Sequence, residues 1–423
     1  MTARTSDDPL ARRVASSLLV PALLLAAASL PAADADKRGC TITVSAGEFD
    51  RKDTPVSFVL PDAAADLAKT AAITDEAGAA VPCQQDARKQ IWIILPELKA
   101  GQSRTYRLSS GKAAEAPATV EAVKDGGVVK ITVDKKEVLH YQGEKTELPK
   151  GYEPQYQRGG YIHPVFTPSG KLVTDDYPPN HKHHHGIWTP WTKTEFEGRH
   201  PDFWNMGAKT GTVEFVALDD TWSGGVFAGF KARHKQVDLS AKPEPKTALN
   251  ETWEVMVFRA GGKKYNVFDL TVTQECAAAS PLVLPLYHYG GTGIRGNRSW
   301  DGKANCEYLT SEGVSRADTK ATSPDGPPAR ARWCYMGGKV GGEACGIAML
   351  DHPDNFRAPQ PLRLHPTEPF IGYCASKLGD WKIEPGKPYV ARYRFIVADG
   401  PPDKAELDRQ WNDFAKPPQV TVK

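Results

Sequence analysis

From Thr119 to Gln142 the chain reads TVEAVKDGGVVKITVDKKEVLHYQ, with apolar and polar residues alternating on both sides of Asp125-Gly126-Gly127. A period of two sends successive side chains to opposite faces of an extended backbone, so the pattern predicts a β-hairpin with one buried face. The same alternation of β-branched and aromatic residues returns in GTVEFVALDD, GGVFAGFKARHKQVDL, LNETWEVMVFRAGGKKYNVFDLTVTQE and YVARYRFIVADG, punctuated by Gly, Asp and Pro. With 37 glycines and 34 prolines the chain has little room for long helices. One helix is predicted, in DKAELDRQWNDFA, where Pro401-Pro402-Asp403 opens it and Leu407 and Trp411 share a face.

These strands predict an all-β fold: a large antiparallel β-supersandwich, two extended sheets face to face, with a small N-terminal β-sandwich module and a short C-terminal helix. The small module is expected over residues 36–115, ending in the small-residue linker GKAAEAPA, and the large domain over 116–423. Ahead of both, Arg12 and Arg13 precede the apolar run VASSLLVPALLLAAASL and the small-residue site Ala33-Asp34-Ala35. That is the layout of a secretory signal peptide over residues 1–35, so a periplasmic or extracellular location is expected. Seven cysteines in an exported chain permit disulfides, with Cys40 and Cys83 one candidate pair, and no C-x-x-C occurs.

At 40% hydrophobic and 25% charged residues the composition is that of a globular protein. Lysine plus arginine number 53 against 51 aspartate plus glutamate, which leaves no excess to hold a nucleic acid or an anionic membrane. The expected partner is a carbohydrate or another small molecule.

Chemistry concentrates in three Gly/Pro-broken stretches. The first contains NHKHHHGIWTPW, in which His181, His183, His184 and His185 are four of the chain's 11 histidines. On an extended segment the three odd-numbered rings would share one face and His184 the other. Trp188, Trp191, Phe203, Trp204, Tyr161 and Phe166 surround them, with His163 and Asp202 close in sequence. Aromatic rings stack on the apolar faces of sugars while polar groups between them read hydroxyls. The second stretch, LPLYHYGGTGIRGNRSWDG, carries His288, Arg295, Trp300 and Asp301 among glycines that match no phosphate-binding loop. The third, LDHPDNFRAPQPLRLHPTEPF, carries His365 and Glu368, the latter a candidate acid/base group or a structural partner of Arg363.

The segments YIHPVFTPSG, DDYPPNHKHHHGIW, GRHPDFW, YHYGGTGIRGN, LDHPDNFR and HPTEPF resemble the bacterial exported family labelled PmoA-like or methane oxygenase. His181, His183 and His184 match that family's histidine block, and His185 stands where an arginine is common. The resemblance implies export, β-architecture and a histidine-rich site; methane oxidation by an enzyme built of membrane helices does not fit this β-rich chain. The layout also resembles the galactose mutarotase-like supersandwiches. That likeness implies His183 or His184 as acid, His288 as its partner, Glu368 as base, Arg295 as substrate clamp and Trp188, Trp204 and Trp300 as stacking walls. His163, His181, Asp202, Asp301 and His365 complete the expected substrate-binding set.

Three readings stand at this point. The first is an exported carbohydrate-active enzyme of hydrolase, lyase or epimerase type that uses no cofactor. The second is a metal-dependent enzyme in which His181 and His183 with His288 hold a divalent metal. The third is a glycan-binding protein without catalysis.

Overall fold

A computed structural model describes residues 39–111, 119–318, 320, 323 and 325–423. The expected signal segment and most of the linker lie outside these residues. The described chain is mostly β, with several antiparallel sheets and a short C-terminal helix. Among the described residues no helix is long and apolar enough to cross a membrane.

Two eight-stranded antiparallel sheets form the large body. One is built from long strands, Gly211–Trp222, Phe227–Asp238, Lys246–Phe258, Tyr265–Cys276 and Tyr389–Asp399, followed by Glu343–Asp351, Trp333–Val340 and Cys306–Thr310. The other runs from Leu362–Leu364 through Phe370–Tyr373, Thr292–Arg295, Ile187–Trp188 and Tyr161–Val165 to the predicted hairpin strands Lys136–Gln142, Val128–Val133 and Val120–Asp125. The hairpin at Asp125 forms in register, Val120 opposite Val133 and Asp125 opposite Val128. Apolar residues of both sheets meet in one core, Val129, Ile131, Leu139, Ile162 and Ile294 from one and Trp253, Val255, Leu270, Met349 and Phe395 from the other.

Within this core the fully buried Glu251 carboxylate accepts hydrogen bonds from Thr189, Gln236 and Gln274 and faces His234 Nδ1 at 3.3 Å. Thr189 also accepts from the Trp253 indole at 3.2 Å. A buried carboxylate keeps its charge only where donors surround it, so this network fixes the chain next to the strand Ile187–Trp188 to the opposite sheet.

The first strands form two small sheets around a separate core of Ile42, Val44, Val56, Phe58, Ile91, Ile93 and Leu108. One boundary differs from the expected partition. Gln419–Val422, at the far end of the chain, pairs antiparallel with Gly39–Ser45 and completes the five-stranded sheet of this module. The cysteine pairing that the spacing left open is not made: Cys40 sits opposite Leu108 in that sheet, Cys83 sits opposite Ile93 in the three-stranded one, and all seven cysteines are free thiols.

The predicted helix spans Lys404–Ala415, with Asp403 accepting from the Glu406 amide as its N-cap. It is tied to the small module by Arg51, which donates to Asp413 at 3.0 Å and to the Asn412 and Lys416 carbonyls, with the two side chains 2% and 0% exposed. Asp413→Ala would leave that guanidinium buried without its anion, a loss of about 3–5 kcal/mol when one partner of a buried pair is removed. Urea unfolding should register a decrease of that order; a change within experimental error would show the helix to be held by its apolar face alone.

Candidate functional site

The histidine block does not run as a strand. The His181 amide donates to the Pro178 carbonyl at 3.0 Å and the His184 amide to His181 at 2.9 Å, two consecutive turns begun by Pro178-Pro179. Turns break the odd–even rule, so His181, His183 and His184 face one cleft together and His185 points elsewhere. The rings of His181 and His184 stack at 4.6 Å, His183 meets His184 edge-on at 4.7 Å, and His365 approaches His181 at 5.6 Å.

The cleft has a volume of about 230 Å³. Besides the four imidazoles its walls are Trp204, Tyr289 and Phe370, with Asn205, His288 and Arg363 as further polar groups. Aromatic side chains reach this close to the sheet because Gly293 has none: a Cβ there would lie 2.8 Å from the Phe370 ring and 3.0 Å from Trp204. A larger hollow of about 730 Å³ beside the C-terminal helix has no histidine in its lining.

Next to the cleft, Arg295 is wholly buried and donates to Glu368 at 3.1 Å and to Asp301 at 2.6 Å. Glu368 also accepts from the Asn180 side chain. The loop bearing it is braced by the Tyr308 hydroxyl, which reaches the carbonyls of His365 and Glu368, and by Arg316, which donates to the Glu368 carbonyl. His365 Nδ1 accepts from the backbone amides of Glu368 and Thr367 at 2.9 and 3.3 Å. An acceptor Nδ1 leaves the proton of a neutral imidazole on Nε2.

The electrostatics divide the site. Burial, reinforced by mutual repulsion and by Arg295 or Arg363, pushes His183 and His365 down to about 3 and His184 well below the ordinary 6.5; His181 and His288 are lowered as well, again chiefly by burial. At neutral pH these rings are uncharged donors and acceptors. The two carboxyls hydrogen-bond to each other and shift in opposite directions. Burial, with Glu368 adding to it, raises Asp301 above its ordinary 3.8. Burial also opposes the charge on Glu368, but the Arg295 guanidinium outweighs it and holds Glu368 below 4.5. The pair is thus biased, Asp301 toward the protonated and Glu368 toward the ionised form.

His181, His183, His184, Trp204, His288 and His365 thus converge on one cleft, with Asp301 and Glu368 next to it. Other expected residues do not join them. Trp188 is fully buried under His184, and Trp300 lies in the main core with its indole on the Lys339 carbonyl, so neither can stack on a ligand. Asp202 is spent on the amides of Trp204 and Asn205, and His163 bonds Thr174 away from the cleft walls. Arg295 serves the two carboxylates rather than clamping substrate, and Glu368 forms its ion pair with Arg295. The acid role expected of His183 or His184 does not suit rings held neutral by burial. Among the described residues no three His, Cys, Asp or Glu side chains are placed to hold a metal. Asn205, Tyr289, Arg363 and Phe370 line the cleft without having been singled out as ligand groups; only their nearness to the histidine and glycine stretches signalled them.

His185 takes a different part. Its Nδ1 lies 2.7 Å from Asp176, whose other oxygen accepts from Tyr161, and its ring is enclosed by Tyr161 and Tyr177. This pair pins the turns from behind.

A search among curated proteins finds no match to the chain. Among solved structures it overlays an α-mannosidase from Enterococcus faecalis V583 over 91% of its own length and 46% of that chain, at 11% identity and a TM-score of 0.47. The chain thus spans about half the length of that enzyme. It also overlays the heparan sulfate lyase HepC from Pedobacter heparinus, over 70% and 38% of the two chains at 10% identity and a TM-score of 0.28. A galactose mutarotase related enzyme from Lactobacillus acidophilus overlays over 66% and 97% of the two chains, at 9% identity and a TM-score of 0.26. At such scores the overlays carry no argument about activity. By sequence, the model of a family of unknown function, DUF6807, matches residues 128–412.

The lowered imidazoles link the site to pH. A histidine whose folded pKa lies below 6.5 stabilises the fold above that pH and loses this contribution as pH falls toward the folded value. Thermal stability should therefore drop between pH 6.5 and 4, and drop less steeply in a His183→Asn, His365→Asn double variant. Parallel profiles in the two proteins would remove the buried, neutral imidazoles as the cause.

Proposed function

The chain belongs to the DUF6807 family, whose matched span contains every residue of the cleft, and we propose that this cleft is the active site of an exported enzyme that performs acid–base chemistry on a glycan. The observation that carries the reading is the Asp301–Arg295–Glu368 grouping beside a cleft of neutral imidazoles and aromatic rings. Hydrolysis, elimination and epimerisation at a sugar each require a proton given at one atom and taken at another. A protonated Asp301 gives, an ionised Glu368 takes, and Arg295 holds their protonation states apart. Trp204, Tyr289 and Phe370 offer apolar faces to a sugar ring, while His365 Nε2–H and Asn205 meet its hydroxyls. Export rests on the N-terminal basic, apolar and small-residue sequence, and the PmoA-like resemblance of the histidine block supports the same location.

A second reading has one observation in its favour. His181 Nδ1 and His184 Nδ1 are buried without a hydrogen-bond partner, and neutral imidazoles with free lone pairs are metal ligands. To hold a divalent ion together with His183 they would have to move, since among the described residues no three such side chains converge on one point.

Tag-free protein lacking the signal segment distinguishes the two. Under the acid–base reading it turns over a member of a glycan panel, and Glu368→Gln and Asp301→Asn each lower kcat by about 10²–10⁴-fold without unfolding the protein. The alkaline limb of the pH profile, set by loss of the Asp301 proton, disappears in Asp301→Asn. Unchanged turnover in both variants would refute the assignment. One equivalent of a transition metal, lost in a His181→Ala, His184→Ala variant, would replace it with the second reading.

A further inference from the structure

The acid–base scheme leaves one feature of the molecule without a use. The outer face of the long-stranded sheet carries a trough, made of two adjoining hollows of about 280 and 250 Å³ that share Arg88, Lys231 and Glu254 in their lining. Strand pairing fixes its floor. Along Lys246–Phe258 the side chains of Trp253, Val255 and Val257 enter the main core, so Thr252, Glu254 and Met256 point the other way. The pairs Glu254–Thr271, Thr252–Thr273 and Asn250–Glu275 set two columns of outward residues side by side. From Asn250 to Met256 this floor runs about 20 Å, at a rise of about 3.4 Å per residue.

An aromatic ring stands at one end. Trp222 pairs with Gly229, where a Cβ would lie 2.8 Å from the indole, so the half-buried ring rests against bare backbone and lines the first hollow. Over the middle reaches the turn that follows Asp86. The Asp86 carboxylate accepts from the Arg88 and Gln90 amides and from the Trp92 indole, each at 2.9 Å, which fixes the turn. From it Arg88 extends to Glu254 at 2.7 Å and divides the trough into its two hollows. The two side chains are 66% and 26% exposed, and an ion pair so open to water is weakly held. Beyond it the polar groups are unengaged: among the described residues, the side chains of Asn250, Thr252, Thr271 and Thr273 form no hydrogen bond with the rest of the chain. Threonines on the outer face of an antiparallel sheet are ordinary, but a braced turn bridged across them and a tryptophan at their end are not.

We propose that this trough is a second binding site, which holds a linear, neutral polysaccharide chain. Its length takes several sugar rings in a row, Trp222 offers a face on which a ring stacks, and the free hydroxyl and amide groups exchange hydrogen bonds with sugar hydroxyls. Charge selects against an acidic chain, because Arg88 and Lys231 share the lining with the carboxylates of Asp86, Asp220, Glu254 and Glu275. The floor belongs to one large sheet, and the strands Leu362–Leu364 and Phe370–Tyr373 that carry part of the cleft belong to the other, so a chain held in the trough leaves the cleft free. Two sites on one polymer keep the protein at high local concentration on it.

The test is migration of the protein through native gels cast with increasing amounts of xylan, galactomannan, mixed-linkage β-glucan or pullulan, and with polygalacturonate as the acidic polymer. At least one neutral polymer should retard it, and polygalacturonate should not. Trp222→Ala should weaken that retardation by about tenfold or more, as truncation of an aromatic anchor does, and Trp222→Phe should keep most of it. Thr252→Tyr, which fills the trough from an outward position, should weaken it to a similar degree with an unchanged melting temperature, so that loss of binding is separated from loss of fold. Retardation by none of the neutral polymers, or a stronger effect of polygalacturonate, would overturn the site. So would neutral-polymer binding that Trp222→Ala and Thr252→Tyr leave intact, because the polymer would then be held elsewhere. A dimer in sedimentation that Thr252→Tyr dissociates would assign the trough to a second copy of the chain instead.

Discussion

The apolar layer shared by the two eight-stranded sheets is the constraint from which the rest of the molecule follows. Strands such as Lys246–Phe258 and Tyr389–Asp399 commit alternate residues to that layer, and a period of two leaves no freedom in the choice. Groups that must touch a ligand are displaced to where strands end. The turns before Ile187–Trp188, the loop before Phe370–Tyr373 and the chain ahead of Thr292–Arg295 belong to neighbouring strands of one sheet. Their proximity is set by pairing, Ile187 with Ile294 and Ile294 with Ile371. Residues separated by more than 180 positions in sequence therefore meet at one cleft.

How much of this was legible depended on the length over which a pattern persisted. The hairpin at Asp125-Gly126-Gly127 and the helix after Pro402 repeat a period for several residues and end on turn or cap residues, so they could be read directly. Gln419–Val422 could not, because four residues carry no period of their own and its partner lies at the other end of the chain. In the histidine block an extended reading divided the rings into two faces. The hydrogen bonds from His181 and His184 that close the turns depend on Pro178-Pro179, and rings at positions 181, 183 and 184 then share one side. Aromatic residues misled for another reason. A sequence shows that Trp188, Trp204 and Trp300 are near polar chemistry but not which of them is covered: Trp300 is absorbed by the main core, Trp188 by His184, and only Trp204 reaches the cleft.

Desolvation then decides what the clustered groups can do. Four imidazoles within a few ångströms would repel one another if charged, and burial removes the water that would soften that repulsion. They remain neutral, so the charge of the site resides in guanidinium and carboxylate groups. Arg295 is the pivot of this division, since its guanidinium binds both carboxyls and holds Glu368 ionised, while burial and the Glu368 charge push Asp301 the other way.

The return of the last strand to the first sheet bears on how the chain is made. A polypeptide grows from its N-terminus, so Gly39–Ser45 emerges long before its edge partner Gln419–Val422. Arg51 likewise waits for Asp413. The small module remains open at one edge while the two large sheets are being synthesised, and its completion reports that the chain between the two strands is in place.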